Sequence, residues 1–213
     1  MNLIRAASNG DIIRVRELLD RGADPNIINN YGTTALMNAS SHGYSEIVQL
    51  LLDRGANPNI INDDGDTALI VASFMGRTDT VRLLLDRGAD PNINTNYGTT
   101  ALIEASYRGY TEIVGLLLDS GADPNIRDNY GTTALIEASN YGRAEIVRLL
   151  LEHGAYPNIQ NNIGQTASML AERTGHDDVA RLIRDHIGLQ RARQNLAFMS
   201  SLNPRLGYDT PIN

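Results

Sequence analysis

The side chains best suited to chemistry are four histidines, His42, His153, His176 and His186, and a set of serines at 40, 73, 106 and 139. A hydrolytic nucleophile needs a unique serine beside a base. These serines follow Ala39, Ala72, Ala105 and Ala138 at a constant interval, which marks scaffold rather than a reacting group. The histidines lack metal-ligand spacing, and the chain has no cysteine to supply thiolates or disulfides. All 18 basic residues are arginine. Without lysine there is no Walker A loop, no kinase-type phosphate lysine and no Schiff base. No catalytic constellation, cofactor site or metal site emerges, and the expectation is a protein that is not an enzyme. His153, next to Gly154, suits a helix C-terminus.

The interval itself is the chain's dominant feature. "NYGTTALIEAS" stands at 96–106 and again at 129–139, 33 residues on. Gly-Ala-Asp-Pro-Asn or a close variant begins at Gly22, Gly55, Gly88, Gly121 and Gly154, always 33 apart. Gly-x-Thr-Ala recurs at Gly32, Gly65, Gly98, Gly131 and Gly164. A fixed period of this length predicts a solenoid of stacked units. Each unit reads as two short helices. Thr34, Thr67, Thr100, Thr133 and Thr166 fit N-caps, and Gly43, Gly76, Gly109 and Gly142 break the chain between helices. Gly55, Gly88, Gly121 and Gly154 fit left-handed C′ positions, each followed by a proline that blocks continuation. The turn-rich stretch after the proline suits a hairpin-like loop.

The segment "DNYGTTALIEASNYGRAEIVRLLLEHGAYPNI" at 128–159 resembles the ankyrin repeat along its whole length, and the likeness covers about residues 1–187. The resemblance implies an all-α repeat solenoid of helix-turn-helix units with hairpin loops in a curved stack. It divides the chain into an N-terminal capping unit at 1–28, four full repeats over 29–160, a degenerate C-terminal unit at 161–187 and a helical or irregular tail at 188–213. A separate tail helix is expected near 189–201, with Leu189, Leu196 and Met199 on a face that could cover the end of the stack. The family's usual Thr-Pro-Leu-His is Thr-Ala-Leu-Ile or Thr-Ala-Leu-Met here, which predicts a looser stack. His176 stands where the ankyrin repeat often carries a structural histidine.

At 100° per residue, Leu102, Ala105 and Ser106 share one helix face, while Glu104, Tyr107 and Arg108 share the other. The first set is constant between units (Leu36, Leu69, Leu102, Leu135) and the second varies. The family resemblance implies that the variable face and the hairpin tips line a concave groove for a protein partner. Carried over, the groove holds Phe74, Met75, Tyr107, Arg108 and Tyr141 from the helices and Tyr31, Asp64, Tyr97 and Tyr130 from the tips, with Asp63 and Asp66 beside Asp64. Tyrosine and arginine are enriched at interaction hot spots. Phe74 and Met75 are large apolar residues on an otherwise polar face and point to the interface centre. The repeated tip tyrosines fit either contact with a partner or packing over the adjacent loop.

The net charge of −7 argues against nucleic acid or an anionic membrane as partner. No apolar run reaches spanning length, and the first residues lack a signal-like apolar core, so a cytoplasmic monomer is expected. The tail "ARQNLAFMSSLNPRLGYDTP" resembles the segment following the ankyrin array in proteins of large DNA viruses that infect protists. That likeness implies a second role, a host-directed substrate receptor of a ubiquitin ligase, working in host cytoplasm or nucleus, whose recruiting element lies outside the chain. Roughly ten lysines would be ordinary in a chain this long, and a receptor without them escapes its own ligase.

Overall fold

A computed structural model of the protein describes residues 2–202. It contains six helix pairs in chain order: α1 (Leu3–Ser8) with α2 (Ile12–Asp20), α3 (Ala35–His42) with α4 (Ser45–Asp53), α5 (Ala68–Phe74) with α6 (Thr78–Asp86), α7 (Ala101–Arg108) with α8 (Thr111–Asp119), α9 (Ala134–Asn140) with α10 (Ala144–Glu152), and α11 (Ala167–Arg173) with α12 (Asp177–Leu202). Among the described residues there are no strands, only two isolated bridges, Ile28 with Thr34 and Asn94 with Thr100, that pinch hairpin loops. The odd-numbered helices pack in one row and the even-numbered helices in a second. The core is a continuous column between the rows, with Leu36, Leu69, Leu102 and Leu135 all 1% exposed.

Local sequence sets both ends of each pair. The threonine hydroxyls at 34, 67, 100, 133 and 166 accept the N–H three residues on, at 3.2–3.4 Å. These bonds satisfy one of the orphan donors at the start of each first helix. The position after the inter-helix glycine carries Tyr44, Arg77, Tyr110, Arg143 and His176, each laid over the glycine of the preceding unit. A Cβ on Gly76 would stand 2.8 Å from the Tyr110 ring, and its φ is +69°, so geometry and space both exclude a side chain there. His176 belongs to this row and is structural in that sense.

Where the ankyrin histidine would stand, Met37, Ile70, Ile103 and Ile136 are 2–4% exposed. Apolar contact with the adjoining unit therefore replaces the polar link at that position. Met169, the equivalent residue of the last pair, has no following unit and is 52% exposed.

The asparagine of Gly-Ala-x-Pro-Asn supplies the joint between successive loops. The Asn26, Asn59, Asn92 and Asn125 amides donate to the carbonyls of Gly55, Gly88, Gly121 and Gly154 at 3.1–3.2 Å. Their side-chain oxygens accept the N–H groups of Asn57, Asp90, Asp123 and Tyr156 at 2.7–2.8 Å. One side chain thus satisfies a donor and an acceptor of the next loop together.

The C-terminal segment differs from expectation. There is no break after Ile187: α12 runs for 26 residues from Asp177 to Leu202. At 187–190 the sequence is Ile-Gly-Leu-Gln instead of Gly-Ala-x-Pro, so the helix meets no left-handed glycine followed by proline. Leu189, Leu196 and Met199 are 61–70% exposed and do not cover the end of the stack. The tail expectations for 203–213 lie outside the described residues.

The asparagine joint is tested by Asn92→Ala. Two hydrogen bonds are lost, each with a net worth of about 0.5–1.5 kcal/mol, so Tm should fall by roughly 3–6 °C. Asn158→Ala removes the same residue where no following Gly-Ala loop exists and should leave Tm within about 1 °C. Equal losses in calorimetry would show that the asparagine acts within its own loop.

Candidate partner-binding groove

The hairpin tips form a second ladder. Within each tip a side-chain oxygen at position 29, 62, 95, 128 or 161 accepts two backbone N–H groups, as Asp128 does from Tyr130 and Thr132. Between tips, the backbone N–H groups of Asp63, Asn96, Asn129 and Asn162 donate to the carbonyls of Tyr31, Asp64, Tyr97 and Tyr130 at 2.9–3.1 Å. A Cβ on Gly65 would stand 2.6 Å from the Asn96 nitrogen, which shows how closely adjoining tips approach. The ladder uses the tyrosine backbone and leaves the rings free. Tyr31, Tyr97 and Tyr130 are 64–73% exposed, so they do not cover the neighbouring loop.

Between the tips and the first-helix row, across α5 and α7, lies an open cavity of about 520 Å³. Phe74, Met75, Ile70 and Tyr97 give it an apolar wall, and Asp64, Asp66 and Glu104 give it an acidic one. The Arg108 guanidinium lies over the Phe74 ring, 3.9 Å from its centroid, and 5.3 Å from that of Tyr107. Tyr107 meets Tyr141 edge to face at 4.9 Å. Phe74, Arg108, Tyr107 and Tyr141 therefore make one contiguous aromatic strip along the helix row. Met75 caps the C-terminus of α5 and leans into the cavity, 45% exposed. Of the residues named from sequence, Asp64, Asp66, Phe74, Met75 and Tyr97 line this cavity and Tyr107, Arg108 and Tyr141 extend it. Tyr31 and Tyr130 stand on the flanking tips.

Sequence reasoning placed Asp64 in the groove with Asp63 and Asp66 beside it, but left Glu104 and Glu137 out. Burial pushes Asp66 above the usual aspartate range, despite the Asn62 amide, and Asp64 adds to the rise. Glu104 is raised mainly by burial, with Arg108 opposing and Asp66 reinforcing. Glu137 is raised by burial and then by Asp128 and Glu104. Burial and the neighbouring Tyr107 also push the Tyr141 phenol up. The signal was present: glutamate occupies the fourth position of both α7 and α9, where α3 has Asn38 and α5 has Val71.

The histidines are dispersed. His153 donates through Nδ1 to the Leu149 carbonyl at 2.8 Å, at the C-terminus of α10, with Asp119 3.4 Å from Nε2. His42 stacks on Tyr44 at 5.3 Å. Among the described residues no three His, Asp or Glu side chains gather closely enough to hold a metal ion, and no helix is long and apolar enough to cross a membrane.

The family described as ankyrin repeats (3 copies) matches residues 3–95, 55–128 and 102–195. The chain belongs to the ankyrin repeat family. It is also similar to the crystal structure of EF0377, an ankyrin repeat protein, at 34% identity and a TM-score of 0.80, over 85% of this chain and 96% of that one. No curated protein matches the chain. Ankyrin repeats are generally protein–protein interaction modules, and the fold is typically a non-enzymatic scaffold.

The half-buried Glu104 and Glu137 give a pH test. A raised folded-state value means the folded chain binds the proton more readily than the unfolded one. Their contribution to stability is therefore greatest below the ordinary glutamate value of 4.5 and is lost as pH rises through the raised values. Glu104→Gln and Glu137→Gln remove the cost of burying the charge, and each should raise Tm by about 1–2 °C at neutral pH. The gain should vanish near pH 4. A gain of equal size at both pH values would point to packing instead.

Proposed function

We propose that the protein is a monomeric interaction scaffold that holds a partner protein in the groove between its hairpin tips and first-helix row. The observation that carries this reading is the exposed strip of Phe74, Met75, Tyr97, Tyr107, Arg108 and Tyr141, contiguous on a scaffold whose other faces repeat. Tyr31, Asp64 and Tyr130 form the rim. Large apolar and aromatic groups that a stack does not need for its own core are suited to a desolvated interface centre. The proposed setting is the cytoplasm, which a cysteine-free chain tolerates.

The double variant Phe74→Ser with Met75→Ser tests it. Capture of a specific partner from the native cell should weaken by roughly 2 kcal/mol or more, about thirty-fold in Kd, while Tm moves by no more than about 2 °C. Undiminished capture, or a large fall in Tm, would show that these residues serve packing.

The absence of lysine favours a second reading, a substrate receptor that delivers its partner to a ubiquitin ligase and offers that ligase no side-chain amine of its own. The viral-type resemblance of the tail supports it. Cullin subunits should then co-purify with the natural gene product; their consistent absence alongside a captured partner refutes this reading.

A further inference from the structure

The cavity between α5 and α7 has walls of unlike chemistry. Phe74, Met75, Ile70 and Tyr97 are apolar, whereas Asp64, Asp66 and Glu104 are acidic and no basic residue lines the space with them. Arg108, the cation that acts on Glu104, is spread over the Phe74 ring, and its single charge leaves the three carboxylates in excess. Glu137 and Asp128 continue the negative field along the next unit, where they act on one another. The guanidinium on Phe74 also shows that this aromatic face accepts a flat cation. An acidic or phosphorylated partner would meet repulsion, and a purely apolar one would leave the carboxylates desolvated without partners.

Building on the scaffold reading above, we propose that this groove takes an extended basic segment of the partner protein. An apolar side chain of that segment lies against Phe74, Met75 and Tyr97, and a neighbouring arginine or lysine reaches Asp64, Asp66 and Glu104. Charge complementarity selects the segment and the apolar wall holds it. The carboxylates receive from the ligand the positive charge that the protein's own lining lacks. Asp66 and Glu104 are half-buried, and an ion pair formed there beside an apolar wall is screened less than one on open surface.

The test uses two fluorescein-labelled nine-residue peptides, one alternating arginine with leucine and glycine, the other carrying glutamate in place of each arginine. Anisotropy is measured with the wild-type chain, with D66N/E104Q, with F74S/M75S, and with E46Q/D79N. The last pair removes two charges from α4 and α6, in the other helix row. The basic peptide should bind at least about ten-fold more tightly than the acidic one. D66N/E104Q and F74S/M75S should each weaken it about ten-fold or more, and E46Q/D79N less than two-fold. Equal loss in E46Q/D79N would overturn the proposal, since net charge alone would then account for binding. So would absence of binding by the basic peptide up to about 1 mM. Preference for the acidic peptide, lost in F74S/M75S but kept in D66N/E104Q, would overturn the basic-segment proposal and leave the groove itself standing. Insensitivity of every peptide to F74S/M75S would overturn both.

Discussion

Every other feature of this molecule depends on one repeated contact, the asparagine side chain that clamps the loop of the following unit. A repeat unit of two short helices cannot bury its apolar face alone, since helices of six to nine residues are too short to be stable in isolation. Stacking supplies the core, but apolar contact is non-directional and tolerates sliding. The Asn26, Asn59, Asn92 and Asn125 amides remove that freedom, because each must meet a carbonyl and an N–H of the following loop together. The tip ladder fixes the opposite end of each unit through backbone bonds and through the Asn96, Asn129 and Asn162 side chains, which donate to the Asp63, Asn96 and Asn129 carbonyls. With both ends pinned, the first helices stand at a set spacing. The groove between them is then a property of the scaffold, whatever residues line it.

This division explains what was legible in the sequence. Repeated positions encode stacking, and their period, glycine phase and threonine caps were enough to derive helix pairs and the core column. The groove residues were legible as exceptions to the repeat: Phe74 and Met75 stand out against Ser41 and His42. Two things were not legible. The Gly-Ala-x-Pro-Asn asparagine reads locally as a turn former, and its bond to a loop 29–31 residues away becomes visible only once the units are stacked. Glu104 reads as an ordinary charge on a helix, remote in sequence from Asp64 and Asp66 on their tip. Only the fold sets them on the same cavity. The tail failed for a related reason. An apolar spacing at Leu189, Leu196 and Met199 looks like a packing face, yet nothing local says whether the helix turns back over the stack or runs past it. The missing glycine and proline decide for running on.

The groove's chemistry follows from a mismatch between neighbouring units. Were the repeats identical, Val71 would be glutamate and the column Asn38, Val71, Glu104, Glu137 would be an unbroken acidic stripe, solvated and self-repelling. Valine at this one step, with Phe74 and Met75 beside it, turns one wall of the α5–α7 cavity apolar while the facing wall stays acidic. Asp66 and Glu104 on this cavity are held above their ordinary values, with burial as the largest cause in each. Half-burying these carboxylates costs the scaffold a little stability. A solenoid tolerates such a local cost because its stability is a sum over many interfaces. The residues that set the α5–α7 step apart leave the Asn and Thr positions that hold the stack together untouched.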